Sequence, residues 1–146
     1  IEAQEGRFAK AEGAGWFASN QLSPIGVFEA DPAAVAERFL GAPYQWGGRE
    51  SLGLDCSGLV QQALYACGLC CPRDSDQQAG LGDPAAPDAL RRGDLVFWRG
   101  HVGMMLDAAR MIHANALHMQ VSIEPMADAL ARIGPATEFR RLFQAI

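Results

Sequence analysis

Cysteine and histidine are the side chains best suited to covalent or proton-transfer chemistry near neutral pH. This chain has four cysteines and three histidines. Cys56 follows Asp55, a residue type that caps helices, and precedes Leu59, Val60, Ala63 and Leu64 at helical spacing. It therefore falls in the first turn of a helix, where backbone N–H groups and the helix dipole favour a thiolate. It also lies on the apolar stripe, so the thiol should point toward whatever that helix packs against. Strands around His101 and His113 are the expected partner. A thiol beside an imidazole can form a thiolate–imidazolium pair, with a third polar group orienting the ring.

The two histidines can cooperate only on one face of their hairpin, and the connection Asp107-Ala108-Ala109-Arg110 decides this. A two-residue loop at 108–109 pairs Met104 with His113 and turns His101 to the opposite face. A three-residue loop at 107–109 pairs Leu106 with Arg110 and Gly103 with His113, and the two rings become diagonal neighbours. Catalysis by the pair thus requires the odd-length loop or a bulge. Spacing alone leaves other readings open. A helical cysteine is most often core, a strand histidine is most often only hydrogen-bonded, and Cys56, His101 and His113 together could ligate zinc.

The other cysteines crowd into Cys67-Gly-Leu-Cys70-Cys71. No second CxxC or HxxxH accompanies them, so they read as reduced, small apolar residues near a helix end. Met104, Met105, Met111 and Met119 read as core filler, and Trp46 and Trp98 as packing, with Trp46 able to border a cleft.

The elements that must position Cys56 and the histidines follow from pattern and punctuation. Residues 1–23 predict two short strands with turns. A helix starts at Asp31-Pro32, carries Val35, Ala36, Phe39 and Leu40, and stops at Gly41 before Pro43. Tyr44 to Leu54 is a glycine-rich aromatic loop, and the Cys56 helix runs to Gly68. Residues 72–93 read as a surface loop with one helical turn at 75–79. Strands follow at Leu95–Trp98, His101–Leu106, Arg110–Ala114 and Gln120–Ile123, then a helix at Pro125–Ile133 and a strand at Glu138–Phe143. Helices early and antiparallel strands late predict an α+β domain. The chain has 146 residues, a formal charge of −5 and 49% hydrophobic residues. That composition excludes a disordered chain and argues against nucleic acid or an anionic membrane as main partner. No apolar run is long enough to span a bilayer.

The local residues resemble those of the NlpC/P60 cysteine peptidases, which cleave bacterial cell-wall peptides. The matching pieces fall in order: Tyr44-x-Trp46-Gly47-Gly48, Leu54-Asp55-Cys56-Ser57-Gly58-Leu59-Val60, Pro72-Arg73-x-Ser75, Gly93-Asp94-Leu95-Val96-Phe97-Trp98, His101-Val102-Gly103 and Ile112-His113-Ala114. The resemblance covers roughly residues 33–143. It implies a papain-like α+β fold with the nucleophile helix packed on an antiparallel sheet. It makes Cys56 the nucleophile, His101 the general base and later acid, His113 the third residue, and Tyr44 a hydroxyl near the oxyanion. It implies hydrolysis of the bond between the γ-carboxyl of D-Glu and diaminopimelate or Lys in murein stem peptides, with no cofactor and no metal. Asp55 and Ser57 are expected to contact the D-Glu. Asp74 and Ser75 resemble the residues of members that recognise a free N-terminal L-Ala. A carboxylate in the pocket wall also favours an ammonium group over an amide-linked glycan.

Residues 1–30 are similar to the end of a bacterial SH3-like domain plus a linker, and 31–146 make the catalytic domain. The partner is then the murein stem peptide, with no nucleic acid and no membrane, and the chain a monomer. A cytoplasmic place in wall-peptide recycling is expected more than a periplasmic or envelope one. The alternative is a wall-peptide binding module without activity, against which the intact Cys56, His101 and His113 argue.

Overall fold

The computed structural model describes residues 1–142. The chain opens on β1 (Ala3–Glu5), β2 (Phe8–Ala11) and β3 (Gly15–Ala18), paired antiparallel in that order. Two glycine turns, at Gly6 (φ +54°) and Gly13 (φ +69°), divide the segment twice, so three strands form where two were expected. A linker follows and packs the Phe28 ring over Gly68, while the Glu29 N–H donates to Ala66 O at 2.9 Å.

Helix α1 (Pro32–Glu37) starts as predicted, with Pro32 inside the first turn and the Asp31 carboxylate accepting from the Ala33 N–H at 2.9 Å. It ends before Leu40, which is 55% exposed and outside the core. Past Glu37 the chain tightens into i→i−3 turns, the Phe39 N–H donating to Ala36 O at 3.0 Å and the Leu40 N–H to Glu37 O at 3.2 Å, before it joins the sheet edge. The Gly41 N–H donates to Val121 O at 2.9 Å, the Val121 N–H to Ala42 O at 2.8 Å, and the Tyr44 N–H to Met119 O at 2.9 Å. These bonds tether Tyr44 to the far end of the molecule's main sheet.

The aromatic loop holds a hairpin of β4 (Arg49–Glu50) and β5 (Gly53–Leu54), and α2 (Cys56–Ala66) follows directly. Gly68, at φ +75°, closes that helix as predicted. The segment 72–93 contains α3 (Ser75–Gln78), as expected, and β6 (Asp83–Pro84), which was not. Nor is the segment wholly superficial, since Gln78 and Leu90 are buried.

Strands β7 (Leu95–Trp98), β8 (His101–Met105), β9 (Arg110–Asn115) and β10 (Gln120–Pro125) come next, then α4 (Met126–Ile133) and β11 (Glu138–Arg141). Phe143, in the predicted last strand, lies outside the described residues. The main sheet is antiparallel, in the order β10-β9-β8-β7-β11-β6. The α+β expectation is met, with α1 and α2 on one face and α4 on the other.

Strand alternation sorts the core into two layers. Leu95, Phe97, Val102, Met104, Ile112, Ala114 and Val121 pack with Leu59, Val60, Ala63 and Leu64 of α2. Val96, Trp98, Met105 and Met111 pack with Met126 and Ala129 of α4. Met119 departs from the core-filler expectation. It is 59% exposed, at φ +52°, in the turn between β9 and β10.

Helix α2 is seated by a close backbone approach. A Cβ on Gly58 would stand 2.3 Å from Gly48 O. Alanine in a helix normally gains about 1 kcal/mol over glycine, but forcing a methyl against fixed backbone costs about 1–3 kcal/mol. Gly58→Ala is therefore expected to lower stability despite its helix propensity, read as a lower urea midpoint. Unchanged or higher stability would show that the Gly48 loop yields freely.

Candidate active site

Cys56 is the first residue of α2 and is 8% exposed. The residue before it does more than cap the helix. Asp55 Oδ1 accepts from the Gly58 N–H at 2.7 Å, and Oδ2 accepts from the Gly47 N–H at 2.8 Å. Arg73 grips both oxygens, at 3.0 and 2.6 Å, and its guanidinium also donates to Ser57 Oγ at 2.9 Å. Burial alone would raise the Asp55 carboxyl, but the hydrogen bonds from Arg73, Gly58 and Gly47 outweigh it and hold the group below its ordinary range. Asp55 thus joins the loop before Cys56, the helix that carries Cys56 and the segment after that helix. Arg73, noted in sequence only as part of a motif, is the residue that completes this clamp.

The loop between β8 and β9 has the length that the histidine pair requires. Met104 pairs with Ile112 and Met105 with Met111, and the Leu106 N–H donates to Arg110 O at 2.8 Å. The connection is therefore the three-residue one, 107–109. Asp107 seals it by accepting from the Ala109 and Arg110 N–H groups at 2.9 and 2.8 Å. His101 and His113 share a face, with His101 Nε2 2.8 Å from His113 Nδ1.

That face is the α4 side, whereas α2 packs on the other. Cys56 meets β8 at the end of the strand, where His101 is the first residue and the Val102 N–H stabilises negative charge on Sγ. Trp98 packs beside the His101 ring with centroids 5.8 Å apart, and its indole N–H donates to Gly134 O at 2.9 Å.

His113 has no exposed surface. Its Nε2 lies 2.7 Å from Glu124 Oε1, off the axis of a ring N–H, and no better-aligned partner is present. Glu124 is itself ion-paired with Arg132 of α4. Neither Glu124 nor Arg132 was singled out in sequence. Glu124 falls between the strand expected to end at Ile123 and the helix expected from Pro125, Arg132 within that helix, and nothing local marks their approach to His113.

Burial sets the resting protonation. It lowers His101 to about 4, with a smaller contribution from the Arg132 charge. It lowers His113 to about 3, with the His101, Arg132 and His118 charges adding to it. Burial also raises the Cys56 thiol, although the Val102, Ser57 and Cys56 N–H groups act the other way. This corrects the expectation of a lowered thiol. The N–H groups of the helix start are in place, but desolvation is the larger effect and moves the thiol upward.

A cleft of about 610 Å³ opens over Cys56. Tyr44, Trp46, Asp55, Ser57, Asp74 and Ser75 line it, and Arg99 and Gly100, just before His101, border its end. The structure thus brings Tyr44, Asp55, Cys56, Ser57, Asp74 and Ser75 to one cavity. Trp46 is 83% exposed, on the rim and not in the core. Asp74 occupies the N-cap position of α3, yet its side chain makes no capping hydrogen bond there. Burial and the charges of Cys56 and Asp55 raise the Tyr44 phenol, so its hydroxyl keeps its proton as a donor. Among the described residues no group of three His, Cys, Asp or Glu could hold a metal ion. No described helix is long and apolar enough to cross a membrane.

Comparison with known proteins agrees with this geometry. The NlpC/P60 family model matches residues 41–132. A Mycobacterium tuberculosis protein named probable endopeptidase is 36% identical over 117 residues, 76% of this chain and 29% of that protein. A Bacillus subtilis gamma-D-glutamyl-L-lysine dipeptidyl-peptidase is 33% identical over 100 residues, 63% of this chain and 34% of that protein. A crystal structure of an NlpC/P60 family protein from Bacillus cereus superposes with a TM-score of 0.71 at 30% identity, covering 87% of this chain and 44% of that one. The chain spans about a third of the length of the two curated relatives and less than half of the Bacillus cereus protein.

The histidine shifts carry a pH signature. Both groups protonate more readily in the unfolded chain, whose value is near 6.5, than in the folded one. Their neutral burial costs nothing in proton binding above about pH 6.5, and stability falls as the pH drops from there toward the folded values. Urea midpoints are expected to decline between about pH 6.5 and 4. Replacing both rings by Asn should flatten that decline, and an equal slope in the double variant would refute the assignment.

Proposed function

The chain belongs to the NlpC/P60 family, and on that premise we propose that it is a cysteine peptidase of murein stem peptides. The bond cleaved joins the γ-carboxyl of D-Glu to diaminopimelate or Lys, in peptides that begin with a free L-Ala. One observation carries the reading: a thiol at a helix start opens on a cleft that has the His101–His113 pair behind one end and an uncapped carboxylate, Asp74, in its wall.

Burial works against a charged thiolate–imidazolium pair, and this sets how the reaction begins. Cys56 Sγ attacks the γ-carbonyl carbon as its proton passes to His101. The oxyanion is held by the Cys56 backbone N–H and the Tyr44 hydroxyl. His101 then returns the proton to the departing amine, and the C–N bond breaks to leave a thioester on Cys56. Water, deprotonated by His101, attacks the thioester and releases the γ-D-Glu carboxylate and the free thiol. His113 keeps the His101 ring oriented throughout.

Asp74 and Ser75 supply the specificity. The L-Ala ammonium pairs with the Asp74 carboxylate, and an N-acyl or glycan-linked amide leaves that carboxylate unmatched. Such a preference suits peptides already released from the glycan, and with it a role in cytoplasmic recycling. Asp55 and Ser57 border the same cleft, with their oxygens engaged by Arg73, and act on the D-Glu by shaping the wall beside it.

Hydrolysis of L-Ala-γ-D-Glu-diaminopimelate and of its N-acetylated form, read by mass, tests this. A lost charged contact of about 1.5–3 kcal/mol predicts a drop of about 10- to 100-fold in kcat/KM for the acetylated peptide. Asp74→Asn should narrow that gap by slowing the free peptide, mainly through KM. Equal rates on the two peptides would remove Asp74 from amine recognition. No cleavage of either, with Cys56 intact, would overturn the peptidase reading itself.

A further inference from the structure

The catalytic imidazole must present a lone pair to the thiol, and which nitrogen carries that lone pair is decided behind it. His101 Nε2 is engaged with His113 Nδ1 at 2.8 Å, so Nδ1 is the ring nitrogen of His101 left for Cys56. For His101 to act as base at Nδ1, its proton must sit on Nε2 and be donated to His113. His113 must then hold its own proton on Nε2 and offer the lone pair of Nδ1. The reverse arrangement is chemically reasonable for two isolated imidazoles. In that case His113 Nδ1–H donates to His101, the His101 proton moves to Nδ1, and the base points its N–H at the sulfur.

Glu124 breaks the tie. Its Oε1 stands 2.7 Å from His113 Nε2, and both groups are buried. Oε1 lies off the ring axis, yet at that distance a lone pair on Nε2 is repelled by the carboxylate and a proton there is attracted to it, so the tautomer with Nε2–H is favoured. No described group, Glu124 included, makes an aligned hydrogen bond to Nε2, so the short contact with Oε1 is its nearest polar neighbour. The charged groups around His113 are Glu124 from β10, Arg132 from α4, His118 from the β9–β10 turn and His101 from β8. Of these only Glu124 is an acceptor placed at Nε2. Arg132 pairs with the same Oε1 and compensates its charge in the buried layer.

We propose that Glu124, held by Arg132, is a positioning residue that fixes the tautomers of both histidines and so aims the lone pair of His101 at Cys56. It touches neither substrate nor thiol and acts through His113. The inference rests on the reading of Cys56 and His101 as nucleophile and base. A ring held between two partners in this way behaves as an outer support whose loss typically costs about 10- to 100-fold in activity.

Two measurements test it. The first needs no substrate. In Cys56→Ser protein with ¹⁵N-labelled histidine, the ring nitrogen shifts read the tautomers directly. His113 and His101 are both expected to be protonated at Nε2; a His113 protonated at Nδ1 would overturn the proposal, whatever the enzyme hydrolyses. The second compares Glu124→Gln with the paired variant Glu124→Met/Arg132→Met on the stem peptide. Gln keeps an acceptor oxygen, so it should retain most of kcat. The paired variant removes acceptor and counter-charge together, so it leaves no buried charge stranded. It should fold, keep KM and lose about 10- to 100-fold in kcat, with the Nε2–H signal of His113 diminished. A folded paired variant with wild-type kcat and unchanged tautomers would reduce Glu124 and Arg132 to packing and sink the idea.

Discussion

The imidazole pair exists because β8 and β9 are joined by three residues. Side chains alternate faces along a strand, so a connection shorter by one would send His113 into the layer of Leu95, Phe97 and Val102, away from His101. Asp107 holds the loop at its length by accepting from two successive backbone N–H groups and pairing with Arg110. The same register brings Met105 opposite Met111, which seals the second core layer. Packing and chemistry are therefore fixed by one constraint. A slip would cost the layer its fit at the moment it parted the two imidazoles.

The other half of the site is organised by charge. The Asp55 carboxylate is filled from three directions, by Gly47 ahead of it, Gly58 in its own helix and Arg73 beyond. Such a partly buried pair is weak evidence for added stability, because desolvation offsets much of the attraction. Its value is geometric. It gathers three segments at the helix start with short, directional bonds, and the cleft is the space left between them. On the far side of the sheet, α4 contributes more than apolar cover, since its last turn supplies the cation that meets Glu124.

Much of this was legible from residue order. The capped starts at Asp31 and Asp55 follow from side chains that accept backbone N–H groups, a local interaction that depends little on context. The shared face of His101 and His113 could be stated as a condition on loop length, and the condition is met. Features that depend on long-range approach were not legible. Glu124 looks like any strand residue until β10 pairs with β9 and turns it toward His113. The tether of Tyr44 comes from backbone bonds between residues 41–44 and 119–121, far apart in sequence. Local rules also gave the wrong sign for the thiol. The helix start argues for a low value, but the depth at which Cys56 is placed decides the matter, and depth belongs to the tertiary structure.

Gln78 gives the fold one more property. Its amide, wholly buried, donates to Ser57 O and to Pro72 O, both at 3.0 Å. The turn that bears Asp74 and Ser75 is thereby sewn to the backbone of the residue after the nucleophile. Exchanging this segment for a differently selective one from a relative would carry off part of the scaffold under Cys56. The wall of the cleft at Asp74 and Ser75 and the backbone beside Cys56 are thus inherited as a unit, and the cleft is more easily altered by single changes on its rim than by grafting the loop whole.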